Sequence, residues 1–213
     1  MIDKIHDEVL TLERYELLCS LFKSKELNNF YLAGGTALAL LIGHRKSEDI
    51  DLFTNIEFKS NLIQDIKSPY TVLSLHDNSI EIILSKTKVM FFYFGFESYK
   101  STLHVKGLRL ADPIDIGLMK LLALQGRSTR KDIVDLYFIH KQIIPLDKLF
   151  DIFEIQYPKL SFNSYESLKS LVNRNDLAKE PMPVMLEKVS WNLCLHTVEE
   201  EIKKHFMKLL KDS

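Results

Sequence analysis

Between residues 30 and 53 the chain reads as a strand, a glycine turn, a helix and a second strand, and this unit limits the possible folds more than any other stretch. The apolar run Phe30-Tyr31-Leu32 is closed by Gly34-Gly35. Thr36 then opens Ala-Leu-Ala-Leu-Leu-Ile, a helix-favouring run. After Gly-His-Arg-Lys-Ser-Glu comes Asp49-Ile50-Asp51-Leu52-Phe53, whose polar–apolar alternation is the period of a strand. Glycines at the turn permit a tight bend and a close backbone approach. The helix start behind them offers unpaired N–H groups and a positive dipole end, which suits an anion. Asp49 and Asp51, two apart on a strand, face the same way with Cα atoms roughly 6.5–7 Å apart. Such carboxylates repel unless water or a cation lies between them, and Mg²⁺ commonly takes one or two carboxylates plus substrate phosphates. Taken singly, each feature also has a plain account: a structural turn, and a solvated acidic strand end.

The flanking stretches complete an α+β pattern. Apolar positions over residues 7–25 predict one amphipathic helix ending near Asn28-Asn29. Residues 57–66 predict a short helix. From 70 to 110 the sequence predicts a β meander, with strands at 72–75, 80–84, 89–94 and 103–105. Beyond 111 the texture becomes helical. Asp112-Pro113 and Asp115 mark a helix start, and that helix should reach Leu124. Further helices are expected from about Thr129 to Lys141 and after Pro145, and Thr197-Val198-Glu199-Glu200 predicts a capping box opening a final helix. The expected organisation is a mixed sheet flanked by helices over residues 1–110, followed by a mostly helical region over 111–213.

Composition removes several function classes. Of 213 residues, 28 are Lys or Arg and 29 are Asp or Glu, giving a formal net charge of −1, so no basic field covers the whole molecule and any nucleic-acid site must be a local patch. The only cysteines, Cys19 and Cys194, lie far apart and outside any ligand spacing, which argues against a disulfide framework or structural zinc. The start MIDKIHDEVL carries early acids and no apolar h-region, and the longest apolar stretch, 31–42, is too short to span a bilayer. A reducing, cytoplasmic protein with no membrane partner is expected.

A second chemistry-bearing block lies in the helical half. Lys120 stands as a single cation among Ile, Leu and Met. Arg127, Arg130 and Lys131 form a local basic cluster, and Asp132 and Asp135 share one helix face. Read alone, this is an ordinary helix start with an acid near the positive dipole end.

Together the two blocks are more specific. Strand–GlyGly–helix followed by DxD on the next strand matches the nucleotidyltransferase fold of the polymerase-β type. Leu-Ala-Gly-Gly-Thr-Ala-Leu and Gly-His-Arg-Lys-Ser-Glu-Asp-Ile-Asp-Leu-Phe, with the later Met-Lys-Leu-Leu-Ala-Leu-Gln-Gly-Arg-Ser-Thr-Arg-Lys-Asp-Ile-Val-Asp-Leu-Tyr, resemble the AbiEii/AbiGii toxin family of nucleotidyltransferases. The resemblance covers residues 31–53 and 119–137 in the family's order.

The resemblance implies a Mg²⁺-dependent enzyme that transfers a nucleoside monophosphate from an NTP to an acceptor hydroxyl, with RNA or a tRNA end as the acceptor. It implies a toxin-like component of a bacterial toxin–antitoxin or phage-defence pair, with a cognate antitoxin as partner. Gly34, Gly35 and Thr36 would hold the triphosphate, Arg45 and Ser47 would position phosphate or the acids, and Asp49 and Asp51 would bind the metal. Lys120 would neutralise triphosphate charge, and Asp132 would be the acid of the second block. Arg127, Arg130 and Lys131 form the candidate RNA patch. One departure stands out. Enzymes of this fold usually carry a third carboxylate on a following strand, and Met90 occupies the position expected for it; Glu81 and Glu97 are the available substitutes. Two alternatives stay open: a catalytically inactive nucleotide- or protein-binding member of the same fold, and an enzyme that modifies a protein hydroxyl.

Overall fold

A computed structural model describes residues 5–126, 129–160, 162–172, 177 and 180–212. The chain divides into two compact units, Met1–Asp112 and Pro113–Ser213.

The first unit contains α1 (Leu12–Phe22), α2 (Gly34–Ile42) and seven strands: β1 (Tyr31–Leu32), β2 (Ile50–Thr54), β3 (Tyr70–His76), β4 (Ser79–Leu84), β5 (Thr87–Tyr93), β6 (Leu103–Val105) and β7 (Leu108–Leu110). They form one mixed sheet in the order β3-β4-β5-β2-β1-β7-β6. β2 runs parallel to β5 and β1 parallel to β7; the other neighbouring pairs are antiparallel. This is the mixed, helix-flanked sheet that the sequence predicts.

Two expectations are corrected in this unit. The helix over 7–25 is interrupted: Asp7–Val9 and Lys25–Leu27 are 3-10 turns, and only Leu12–Phe22 is α-helical. Thr11 is extended, and its side chain caps the helix by accepting from the Arg14 N–H, so the helix starts afresh there. Residues 70–110 are not a single meander. β3, β4 and β5 are consecutive neighbours, but β6 and β7 form a separate hairpin at the opposite edge, beside β1. Its turn, Lys106-Gly107, has φ of 50° and 80°, and the β4–β5 turn, Ser85-Lys86, has φ of 49° and 62°. Left-handed residue pairs of this kind match the twist of two-residue hairpins. The segment expected as a short helix at 57–66 contains a 3-10 helix, Ser60–Asp65.

The sheet has unequal faces. Ile50, Leu52, Ile80, Ile82, Leu84, Val89 and Phe91 are buried on one side. Asp51, Phe53, Glu81, Met90 and Phe92 alternate with them and are only half-buried. On that second face Phe53 packs against Phe92, with ring centroids 5.4 Å apart.

The second unit is helical: α3 (Pro113–Leu124), α4 (Arg130–Gln142), α5 (Leu146–Gln156), α6 (Ser164–Val172) and α7 (Trp191–Asp212). α7 begins six residues before the capping box expected at Thr197. The Ser190 hydroxyl accepts from the Leu193 N–H at 3.2 Å and starts the helix earlier. Cys194, Val198, Ile202 and His205 then form one buried stripe along it, which holds Thr197 inside a continuous helix. His205 stacks on Phe150 with centroids 4.5 Å apart. Burial pushes the Cys194 thiol up to about 11, which leaves it a packing group rather than a nucleophile at neutral pH. No described helix is long and apolar enough to cross a membrane.

Candidate active site

The first unit brings the glycine turn and the aspartate pair together. Gly34 sits at the first position of α2 with φ of +62°, a left-handed conformation that glycine adopts without penalty. A Cβ placed there would lie 2.8 Å from Asp51 Oδ2, so the absence of a side chain is what lets the helix start approach the carboxylate. The backbone is tied at the same point: the Ala33 N–H donates to the Asp51 carbonyl at 2.9 Å.

Thr36 fixes the loop that carries the other acid. Its hydroxyl lies 2.7 Å from the Ser47 hydroxyl and donates to the Asp49 carbonyl at 2.5 Å, and the residue is 1% exposed. The Ser47 N–H donates to the Val9 carbonyl at 3.0 Å, and the Lys46 ammonium to the Glu8 carbonyl at 2.5 Å. The loop from 44 to 49 is therefore pinned on both sides. Arg45 is almost fully buried, with a guanidinium N–H donating to the Lys46 carbonyl at 3.0 Å. Thr36→Val should cost about 1–3 kcal/mol, because it removes a buried donor and leaves the Ser47 hydroxyl and Asp49 carbonyl short of a partner. Thr36→Ser should keep most of the stability; urea unfolding of both variants checks this.

The cross-strand register defines a polar row on the half-buried face. Asp51 lies directly opposite Met90 in β5, and Met90 opposite Glu81 in β4. The carboxylate in this row is thus one strand beyond the neighbour of Asp51. Lys88, two residues before Met90, shares its face and forms a 2.5 Å ion pair with Glu81. Its ammonium is held above the usual lysine range, first by that hydrogen bond and further by the charges of Glu81, Asp49 and Asp51. Lys88 was not among the residues singled out from sequence. The signal was present in Lys88-Val89-Met90-Phe91, since period two places Lys88 beside Met90, but a lone lysine on a strand carries no partner information.

Among the described residues no cluster of three or more His, Cys, Asp or Glu is arranged for a metal ion. Asp51 offers a carboxylate beside the Gly34 backbone, and Asp49 carries a second one residue before β2. That donor set fits a hard, octahedral cation that completes its shell with phosphate and water.

The second unit gathers the other predicted residues differently. Lys120 is 9% exposed. Its ammonium lies 2.5 Å from Asp132 Oδ1 and 2.8 Å from Asp135 Oδ2, and the Asp135 side chain is fully buried. Asp132 also closes a capping box: its Oδ2 accepts from the Thr129 N–H at 3.3 Å and its own N–H donates to the Thr129 hydroxyl at 3.2 Å, while that hydroxyl donates to Oδ2 at 2.6 Å. Arg130 donates from Nε to the Leu177 carbonyl at 3.1 Å and lies over the Trp191 ring at 4.6 Å. Lys131 is exposed. Arg127 lies outside the described residues.

Comparison with known proteins agrees with this architecture. Residues 16–96 match the family model described as nucleotidyl transferase AbiEii toxin, type IV toxin–antitoxin system. An uncharacterized protein of Aquifex aeolicus is 33% identical over 161 residues, covering 72% of this chain and 77% of that protein. Among solved structures, the nucleotidyltransferase toxin MenT4 of Mycobacterium tuberculosis has a TM-score of 0.61 at 12% identity, over 90% of this chain and 80% of its own. JHP933 of Helicobacter pylori has a TM-score of 0.52 at 19% identity, over 98% and 96%. The fold and family place the chain in the nucleotidyltransferase class of enzymes. More narrowly, it belongs to the AbiEii nucleotidyltransferase toxin family.

Proposed function

We propose that this protein transfers a nucleoside monophosphate from an NTP to an acceptor hydroxyl on RNA, with a tRNA end as the leading acceptor, and that it acts in the cytoplasm as the toxin of a bacterial toxin–antitoxin or phage-defence pair, with a cognate antitoxin as partner. The observation that carries the reading is the approach of Gly34, at the α2 N-terminus, to the Asp51 carboxylate. It sets an anion-binding helix start beside an acid pair. In the proposed reaction the acceptor hydroxyl gives up its proton to water, its oxygen bonds to the α-phosphorus, the bond from that phosphorus to the β-bridging oxygen breaks, and pyrophosphate leaves. Gly34, Gly35 and Thr36 form the helix start that takes the triphosphate. Asp49 and Asp51 would hold Mg²⁺, which when bound offsets phosphate charge as it redistributes in the transition state. Arg45 and Ser47 act from the loop that fixes Asp49. Lys120 and Asp132 are assigned to the same reaction on the resemblance of their sequence block alone, and residues 1–110, with the N-terminal helix, are assigned as the transferase core.

The test is incubation of the purified chain with each α-labelled NTP, Mg²⁺ and total bacterial RNA. Label in RNA that EDTA abolishes supports the reading. Label in protein instead would move the acceptor to a protein hydroxyl. Met90 at the position beside Asp51 favours a second reading, a nucleotide-binding member without transfer, which triphosphate binding with no incorporation would establish.

The RNA patch yields a narrower expectation. Lys131 is exposed, whereas the Arg130 guanidinium is already engaged by Leu177 and Trp191. Lys131→Ala should weaken RNA dependence and lower its salt slope by about one, with little change in the NTP requirement. Arg130→Ala should weaken RNA dependence as well and also lower the unfolding midpoint. Transfer rates against RNA concentration at two salt concentrations check both; an unchanged slope for Lys131→Ala would remove it from the patch.

A further inference from the structure

We propose that Lys88 is a phosphate-binding residue for a nucleoside triphosphate at the Asp49–Asp51 pair, held over that face by Glu81; the assignment rests on the nucleotide reading above. The strand register supports it first. Asp51, Met90 and Glu81 form one row across β2, β5 and β4, and Lys88 lies on the same face as Met90, diagonal to Glu81. Charge supports it second. This face carries the carboxylates of Asp51 and Glu81, with Asp49 just before β2, and a polyanion entering there meets like charge unless cations are close. The Lys88 ammonium is a cation of the same unit, carried one residue before Val89, the register partner of Ile50, which stands between the two aspartates. Side-chain chemistry supports it third. Lysine is a flexible point charge suited to phosphate oxygens. The Lys88 side chain is 45% exposed and that of Glu81 29%, so their ion pair is a weak one that a phosphate can replace at little cost.

A cross-strand pair that merely ties β4 to β5 would explain the same contact, so the test separates the two roles. The full chain carrying Lys88→Met or Lys88→Arg is titrated, with Mg²⁺, against a fluorescent NTP analogue and against the same nucleoside without phosphates. Urea midpoints are measured in parallel. Lys88→Met should weaken triphosphate binding about tenfold and leave nucleoside binding unchanged. Lys88→Arg, which keeps the charge, should stay within about threefold of wild type. In transfer assays Lys88→Met should raise the KM for NTP more than it lowers kcat, and Lys88→Arg should stay near wild type in both. Wild-type binding that Lys88→Met leaves unchanged overturns this assignment alone. An equal loss for triphosphate and nucleoside, or a lowered midpoint that accounts for the loss, overturns it in favour of the strand tie. A wild-type chain that binds no triphosphate overturns the nucleotide reading and this assignment with it.

Discussion

Asp51→Asn is expected to abolish nucleotide transfer, lowering the rate by about 10³-fold or more, while leaving the fold intact. On the proposed reading the carboxylate holds the cation that offsets phosphate charge, and losing one stabilising group of this kind in an enzyme site is worth about 10²–10³ in rate or more. The intact fold follows from geometry. Asparagine has nearly the volume of aspartate, and the backbone bond from Ala33 to the residue 51 carbonyl does not involve the side chain. Asp51 shares its face with Glu81, and Asp49 is two residues away in sequence, so losing one negative charge relieves repulsion, partly offset by the lost attraction to Lys88. The thermal midpoint should stay level or rise slightly. The measurement is transfer of labelled nucleotide by wild type and variant at matched folded concentration, with a circular-dichroism melt of each. Growth of cells expressing each form gives a second readout: arrest by wild type and relief by Asp51→Asn. Full transfer by a well-folded Asp51→Asn protein would end the metal role of the pair.

The largest stability effect is expected at Asp135. Its carboxylate is fully buried and takes the Lys120 ammonium at 2.8 Å. Asp135→Ala leaves that ammonium with Asp132 as its remaining carboxylate partner, in a site where only 11% of the lysine side chain is exposed. Breaking a buried pair from one side costs about 3–5 kcal/mol, and the retained Asp132 contact brings the expectation to about 3 kcal/mol. Urea unfolding checks it, with Lys131→Ala, an exposed change on the same helix, expected within about 0.5 kcal/mol of wild type. A loss below about 1 kcal/mol for Asp135→Ala would show that the lysine finds other compensation. The result also bears on Lys120. Lys120→Met removes the ammonium from the same buried carboxylate, so its effect on transfer has meaning only per folded molecule. Asp132 has the same double character, since it pairs with Lys120 and closes the Thr129 capping box.

Local patterns account for what the sequence alone determined. The Gly34-Gly35 turn, the helix behind it and the alternation from Asp49 to Phe53 are set by neighbouring residues through backbone conformation and side-chain period. The hairpin turns and the helix start at Thr129 are equally local, because each is closed by atoms within a few residues. Pairing between distant segments was not legible. Nothing in residues 103–110 says that they leave the β3–β4–β5 group and join β1, since strand order depends on which edge remains to be covered once the rest of the sheet exists. The buried stripe of Cys194, Val198, Ile202 and His205 likewise overrode the cap expected at Thr197, because burying an apolar face outweighs one capping bond. The site divides in the same way. That Asp51 lies on a strand could be read from the alternation; Asp49 stands one residue before β2, which begins at Ile50. That Asp51 lies against Gly34, that Met90 stands directly beside it, and that Lys88 and Glu81 meet on the same face were decided by the register of β2, β5 and β4, a property of the assembled sheet that no single strand carries.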